Sequence, residues 1–227
     1  MSKRTKISRR KFLIGGASLI GVSALTCIGG TGLAMQQPEV SFHSSSCGEA
    51  DNTDAKVLVT YASQAGSTGE IAGVIGQVMC ETGTAVDVRP IQTISDLTPY
   101  RAVVVGSAVH SSAWMPEAAA FVDTHRDALS QMSVAYFISC LTLAVADTDA
   151  LRRKVANFLD PVRQQVSEVQ PVDVGLFAGK LDFGKLPFAH RVMWPFTAGG
   201  QATEGDYRDW KAIKAWAGNL PPVLLNA

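Results

Sequence analysis

The chain predicts an α/β fold: a doubly wound, five-stranded parallel sheet in the order 2-1-3-4-5, with helices on both faces. Three observations predict it. Strand-length apolar runs alternate with segments of helical period from Lys56 to Leu220. The run Ala102–Ser107 is continuously apolar, as in a strand buried on both faces, rather than alternating, and Val134–Ser139 reads as another buried strand. A loop of small, hydroxyl-bearing residues stands at the first strand-to-helix junction, where such sheets take up ligands.

The N-terminus reads as an address. Ser8-Arg9-Arg10-Lys11-Phe12-Leu13-Ile14 has the form of a twin-arginine export signal, and an uncharged, glycine-interrupted stretch follows from Phe12 to Met35. Gly32-Leu33-Ala34 offers a weak cleavage site; an uncleaved N-terminal anchor is the rival reading, because the stretch would span a bilayer. Residues 1–35 are therefore taken as signal peptide or anchor. Residues 36–55, polar and Ser-rich, are taken as a linker without helical or strand period.

The first strand is the run Lys56–Thr60, and Gly69–Ile75 opens the first helix. Thr84–Ile91 reads as the second strand. Ala102–Ser107 is the third, continuously apolar. Met115–Leu129 has helical spacing, with Pro116 tolerated in the first turn. Val134–Ser139 is the fourth strand. Asp149–Val166 is a helix with Leu151, Val155, Phe158, Leu159 and Val162 on one stripe. Val172–Phe177 is the fifth strand. Asp206–Leu220 closes the domain as a helix, with Trp210, Ile213, Lys214 and Ala217 at helical spacing, and 221–227 are read as a tail.

Bulk properties narrow the function. A chain of 227 residues at 47% hydrophobic content buries one full α/β core. The formal charge is zero, but six basic residues and no acid lie in the first 38, which leaves 14 basic against 20 acidic side chains in the rest. The folded part is mildly acidic, and nucleic acid is excluded as a partner. Cys27, Cys47, Cys80 and Cys140 are widely spread, so neither a zinc site nor a disulfide framework is indicated.

The loop Tyr61-Ala62-Ser63-Gln64-Ala65-Gly66-Ser67-Thr68 carries the chemistry. A helix N-terminus supplies unpaired N–H groups and the positive end of the dipole. Gly66 allows close backbone approach; Ser63, Ser67 and Thr68 can donate hydroxyl bonds. The loop holds no Lys or Arg and matches neither Gly-x-x-x-x-Gly-Lys-Ser/Thr nor Gly-x-Gly-x-x-Gly. Neutral donors suit a phosphomonoester, such as that of flavin mononucleotide (FMN). A turn that merely caps the helix is the alternative. The end of the third strand, Gly106 to Trp114, converges on the same edge by topology.

These segments resemble the flavodoxin superfamily, and within it the branch containing menaquinone-dependent protoporphyrinogen dehydrogenase. Besides the loop, the resemblance is carried by Tyr100–Val109, Trp114-Met115-Pro116-Glu117-Ala118, Phe177–Phe183 and the closing Gly205-Asp206-Tyr207-Arg208-Asp209-Trp210. It implies non-covalent FMN. Ser63, Gln64, Ala65, Gly66, Ser67 and Thr68 align with the phosphate loop. Ser107, Ala108, Val109, His110, Ser111, Ser112, Ala113 and Trp114 align with the first flavin-flanking loop, and Ser139, Cys140, Leu141 and Thr142 with the second. Ser112-Ala113 stand where the branch has Gly-Lys, which disfavours a positive-φ turn and removes a charge near the ring.

Trp114 is expected to stack on or edge the isoalloxazine; packing on the sheet is the alternative. His110 is read as a solvent-facing loop residue and Cys140 as a small buried residue. Asp182, Phe183, Lys185 and His190 are expected to border a substrate opening, and Phe188, Val192, Met193, Trp194 and Phe196 are read as core or an apolar membrane-facing patch. The expected function is an FMN-dependent oxidoreductase, exported folded, with no catalytic side chain named and no metal. Electrons would pass from a reduced donor, by resemblance protoporphyrinogen, to a quinone or redox partner. The alternatives are an exported one-electron carrier and a flavin-free scaffold module. Membrane association would run through a retained N-terminal segment.

Overall fold

The computed structural model describes residues 42–48, 56–186, 191–192 and 202–226. The leader, most of the expected linker, and His190, Phe188, Met193, Trp194 and Phe196 lie outside them.

Chain order begins with β1 (Ser45–Cys47), β2 (Val57–Ala62), α1 (Ser67–Glu81) and β3 (Val86–Pro90). It continues through β4 (Ala102–His110), β5 (Ala113–Trp114), α2 (Pro116–Thr124), α3 (Arg126–Leu129) and β6 (Ser133–Cys140). There follow α4 (Thr142–Val145), α5 (Asp149–Ala156), α6 (Asp160–Gln165), β7 (Asp173–Ala178), β8 (Lys180–Leu181), β9 (Gly205–Asp206) and α7 (Trp210–Leu225).

The parallel strands run β3-β2-β4-β6-β7, the expected 2-1-3-4-5 order. β2 is buried along its whole length, and so is β6 after its first residue. Both faces are therefore covered. On one face Val57, Val59, Tyr61, Val104 and Phe137 meet Ile71, Ile75 and Met79 of α1 and Ile213, Ala217 and Leu220 of α7. On the other, Leu58, Val103, Val105, Tyr136 and Ile138 meet Phe121 and Val122 of α2 and Val155, Leu159 and Val162 of the α5–α6 segment. Burying a large aliphatic side chain stabilises by roughly 1.5–3 kcal/mol, so these two layers dominate stability.

Four differences from the sequence reading have physical causes. The helix expected over Met115–Leu129 breaks at His125, and that over Asp149–Val166 breaks at a 3-10 turn, Asn157–Leu159, just before Pro161. Asp206 belongs to β9 rather than the last helix. That helix starts after Asp209, whose carboxylate caps the Lys211 and Ala212 N–H groups at 3.0 Å each. Its Lys214 is exposed, off the buried stripe. The helix also runs through Pro221 and Pro222 into the expected tail, because Leu224 is buried in the core and offsets the lost hydrogen bonds.

The fourth difference lies at the sheet edge. Within the expected linker, β1 pairs antiparallel with β3, and a disulfide joins Cys47 to Cys80 in the last turn of α1, with Cα atoms 6.2 Å apart. Spacing gave no hint of this pair, since only the register of β1 beside β3 brings the two cysteines together. The same segment supplies the His43 carbonyl that accepts the Tyr61 hydroxyl at 2.9 Å.

Asp87 of β3 is buried beneath this edge. Burial pushes its carboxyl up, but Lys56 (Nζ at 2.8 Å), Ser46 and the Tyr100 hydroxyl (2.9 Å) together hold it below the usual carboxylate range. A carboxyl lowered on folding stabilises above its unfolded pKa, and that contribution is lost as pH falls through the folded value. Stability should therefore fall on acidification below the carboxylate range, and Asp87→Asn should lower stability at neutral pH while flattening that acid limb in urea unfolding. The disulfide closes a long loop, so Cys47→Ser should cost about 3 kcal/mol, read as a lower urea midpoint without loss of the fold.

Candidate functional site

The C-terminal ends of β2, β4 and β6 open into one cleft of about 470 Å3. Its first wall is the β2–α1 loop. Ser63 Oγ accepts the Gly66 N–H at 3.0 Å, which closes a tight turn. Gly66 then takes φ 84°, a left-handed conformation that glycine adopts without a side-chain penalty. The chain enters α1 at Ser67, and no side chain caps that helix among the described residues. Its first-turn N–H groups are left for water or an anion. Gly69 is needed for a second reason: a Cβ there would fall 2.7 Å from the buried Tyr61 ring.

Ser63, Gln64, Ala65 and Ser67 line the cleft. Gly66 and Thr68 do not; Gly66 shapes the turn, and Thr68 is fully buried one residue behind the lining. The Thr68 hydroxyl has no hydrogen-bond partner among the described residues. A buried hydroxyl without a partner costs roughly 1–3 kcal/mol, so its retention beside the loop is informative.

The second wall is the β4–β5 hairpin. Val109 faces Trp114 and His110 faces Ala113, which leaves Ser111-Ser112 as a two-residue turn. Both adopt positive φ, 52° and 63°. This is the geometry of a type I′ turn, whose twist matches the flanking strands. The positive-φ turn that the absence of glycine disfavours is thus present, built from two serines held by the hairpin register. Ala108, Val109, His110, Ser111 and Ser112 line the cleft, and His110 is exposed.

Three residues expected to flank the flavin do not line the cleft. Ser107 is fully buried; its hydroxyl donates to the Ala108 carbonyl at 2.7 Å and accepts the Met115 N–H at 3.0 Å, fixing the hairpin base. Ala113 pairs with His110 behind the turn. Trp114 points into the core and packs edge-on against Tyr136, centroids 4.8 Å apart, with 4% exposure. Its place on the paired strand β5, rather than in the turn, directs the indole onto the sheet.

The third wall is the β6–α4 connection, Ser139, Cys140, Leu141 and Thr142. Cys140 is buried, and burial pushes its thiol up against weaker opposing hydrogen bonds from Leu143 and Thr142. A fourth wall escaped the sequence reading except for Asp182. The β8–β9 ribbon contributes Gly179, Lys180, Leu181 and Asp182, with Leu186 and Phe158 beside it. The chain's Phe177–Phe183 match was the available signal. Lys180 brings a cation to the cleft that the Gly-Lys position lacks. Phe183 and Lys185, expected at a substrate opening, do not line the cleft.

The ribbon continues into Arg208, which is nearly buried. Arg208 donates to both Asp206 oxygens at 2.8 and 2.6 Å and to Glu70 at 2.7 Å. Among the described residues, no cluster of His, Cys, Asp or Glu could hold a metal ion, and no helix is long and apolar enough to cross a membrane.

A family model described as a flavodoxin domain matches residues 58–206, and the chain belongs to that family. The family implies a flavin cofactor. No curated protein is significantly similar. Among solved structures, a Pseudomonas aeruginosa flavodoxin variant is 13% identical, with TM-score 0.45 over 74% of this chain and 98% of its own. A Streptococcus flavodoxin is 16% identical, with TM-score 0.44 over 73% and 97%. The Desulfovibrio gigas rubredoxin oxygen:oxidoreductase is 17% identical, with TM-score 0.42; the similarity covers 73% of this chain but 35% of that larger one.

A serine in the left-handed region carries strain that glycine does not. Ser112→Gly should therefore raise stability by roughly 0.5–1 kcal/mol, read as a higher melting temperature of the ligand-free protein.

Proposed function

We propose that this flavodoxin-domain protein binds FMN in the cleft and works as an exported oxidoreductase, passing electrons from a reduced donor to a quinone or redox partner. The observation that carries the reading is the β2–α1 loop. It joins a helix N-terminus without a side-chain cap, a left-handed glycine and a buried hydroxyl without a partner among the described residues, and it holds no basic side chain. That donor set fits a phosphomonoester better than a polyphosphate, which calls for cationic side chains or a metal.

When bound, FMN supplies the redox chemistry, and the protein supplies binding, orientation and electrostatics. Ser63 and Ser67, with the α1 N–H groups, would hold the phosphate, and Thr68 is the hydroxyl behind them. The Ser111–Ser112 turn and the Ser139–Thr142 segment would flank the ring. Leu141, Phe158, Leu181 and Leu186 make part of the cleft apolar and limit water there. Lys180 would favour negative charge on the ring or on a donor carboxylate, and Asp182 would oppose it. The resemblance to the protoporphyrinogen dehydrogenase branch makes a porphyrinogen the first donor to test and menaquinone the first acceptor.

Two observations support export. The N-terminal Ser8–Ile14 pattern has the twin-arginine form, and Cys47–Cys80 is a disulfide of the kind that persists in oxidising compartments. A route that carries folded proteins suits a domain that acquires its flavin before export.

The test compares FMN with riboflavin by quenching of flavin fluorescence on the full-length protein. The reading expects FMN to bind at least about 100-fold tighter, because only FMN reaches the loop donors. Equal affinities would overturn it. Ser67→Ala should weaken FMN about tenfold, the worth of one hydrogen bond to a charged group, and leave riboflavin unchanged.

A further inference from the structure

We propose that Arg208 is a positioning residue for the phosphate loop. It fixes the first turn of α1 and pins the Glu70 carboxylate, so that the loop presents an ordered set of donors to a phosphate without a carboxylate free to swing onto them. The ligand side of this inference rests on the FMN reading above; its geometric side does not.

Arg208 stands in the closing Gly205–Trp210 segment, to which no function is yet attached. Its side chain is 3% exposed. Nε and Nη2 grip the two oxygens of Asp206 as a fork. Nη1 reaches Glu70 Oε2 at 2.7 Å and the Ser67 carbonyl oxygen at 3.4 Å. The guanidinium also lies over the Trp210 ring, 4.3 Å from its centroid. One side chain thus joins the β9 strand and the start of α7 to the first turn of α1, 141 residues earlier in sequence.

The placement matters because of where Glu70 is. It sits in the first turn of α1, three residues after the cleft-lining Ser67. A carboxylate there is drawn to the positive end of the helix dipole, the same feature a phosphate would use. Glu70 is 43% exposed and is met by Arg208 and, more distantly, by Lys185 at 4.0 Å. Arg208 holds it in place, and because the guanidinium also serves Asp206, Arg208 and Lys185 together balance the two carboxylates. A lysine cannot reproduce this, since it lacks the planar fork that spans Asp206, Glu70 and the Ser67 carbonyl at once.

A purely structural arginine would support both flavins equally. A positioning arginine acts on the phosphate alone, so riboflavin is the internal control. With full-length protein, Arg208→Met should weaken FMN at least about tenfold and riboflavin less than about twofold. Adding Glu70→Gln to that variant should recover about threefold or more of the FMN affinity, because the carboxylate released beside the loop is gone. Arg208→Lys, which keeps a cation and guards against misfolding, should lose FMN affinity by an intermediate factor with riboflavin unchanged. In ligand-free protein, amide hydrogen exchange at residues 66–70 should speed up in Arg208→Met while β4 stays protected.

Parallel weakening of both flavins, or unchanged FMN affinity in Arg208→Met, would overturn the proposal. Wild-type protein that binds neither flavin would overturn the FMN reading instead. The exchange experiment would then decide the clamp alone: faster exchange confined to residues 66–70 supports it, and unchanged exchange overturns it.

Discussion

Strands β2, β4 and β6 carry apolar side chains toward both faces, and hiding both from water requires a helical layer on each side. Parallel strands connected through those layers send their C-terminal ends to one edge. The cleft is a consequence. The Ser63–Thr68 loop, the Ser111–Ser112 turn and the Ser139–Thr142 segment meet there because the strands that deliver them are packed in register, from Val57 beside Ala102 to Ala108 beside Ser139. The chemistry of the site is then set by small residues whose backbone is available, rather than by a set of charged side chains.

Helix α1 links this site to the rest of the molecule. Its C-terminal turn is bonded through Cys80 to Cys47 of β1. Its N-terminal turn is tied through Glu70 and the Ser67 carbonyl to Arg208. The middle of the helix buries Ile71, Ile75 and Met79 against β2 and β3 neighbours and α7. The element that opens at the Ser63–Thr68 loop is therefore held at both ends by segments from the two extremes of the domain. A covalent tie far from the cleft and an ion-pair tie beside it act on one rigid body.

The fold class, the strand order and the cleft-edge loops were legible because they rest on local signals: apolar runs of strand length, helical spacing and small residues at a strand-to-helix junction. The rest depended on contacts between distant residues. Cys47 lies in a stretch without periodicity, so neither β1 nor its bond to Cys80 could be read. Trp114 looked like a loop aromatic; the two-residue turn before it makes it a strand residue, and pairing with Val109 turns it inward. Ser112 in place of a glycine argued against a positive-φ turn on propensity alone, yet hairpin register imposes that turn. The β8–β9 ribbon pairs residues 180–181 with 205–206, a separation no local pattern reveals. Arg208 was visible only as part of a motif, since its partners are far away in sequence.

The central claim is that this loop and cleft hold FMN. The most direct measurement is a visible absorption spectrum of the full-length protein after incubation with FMN and thorough desalting, with circular dichroism establishing that the protein is folded. The account predicts flavin bands that remain with the protein in near-stoichiometric amount. A folded protein that emerges colourless would contradict it and return the domain to the class of flavin-free scaffolds.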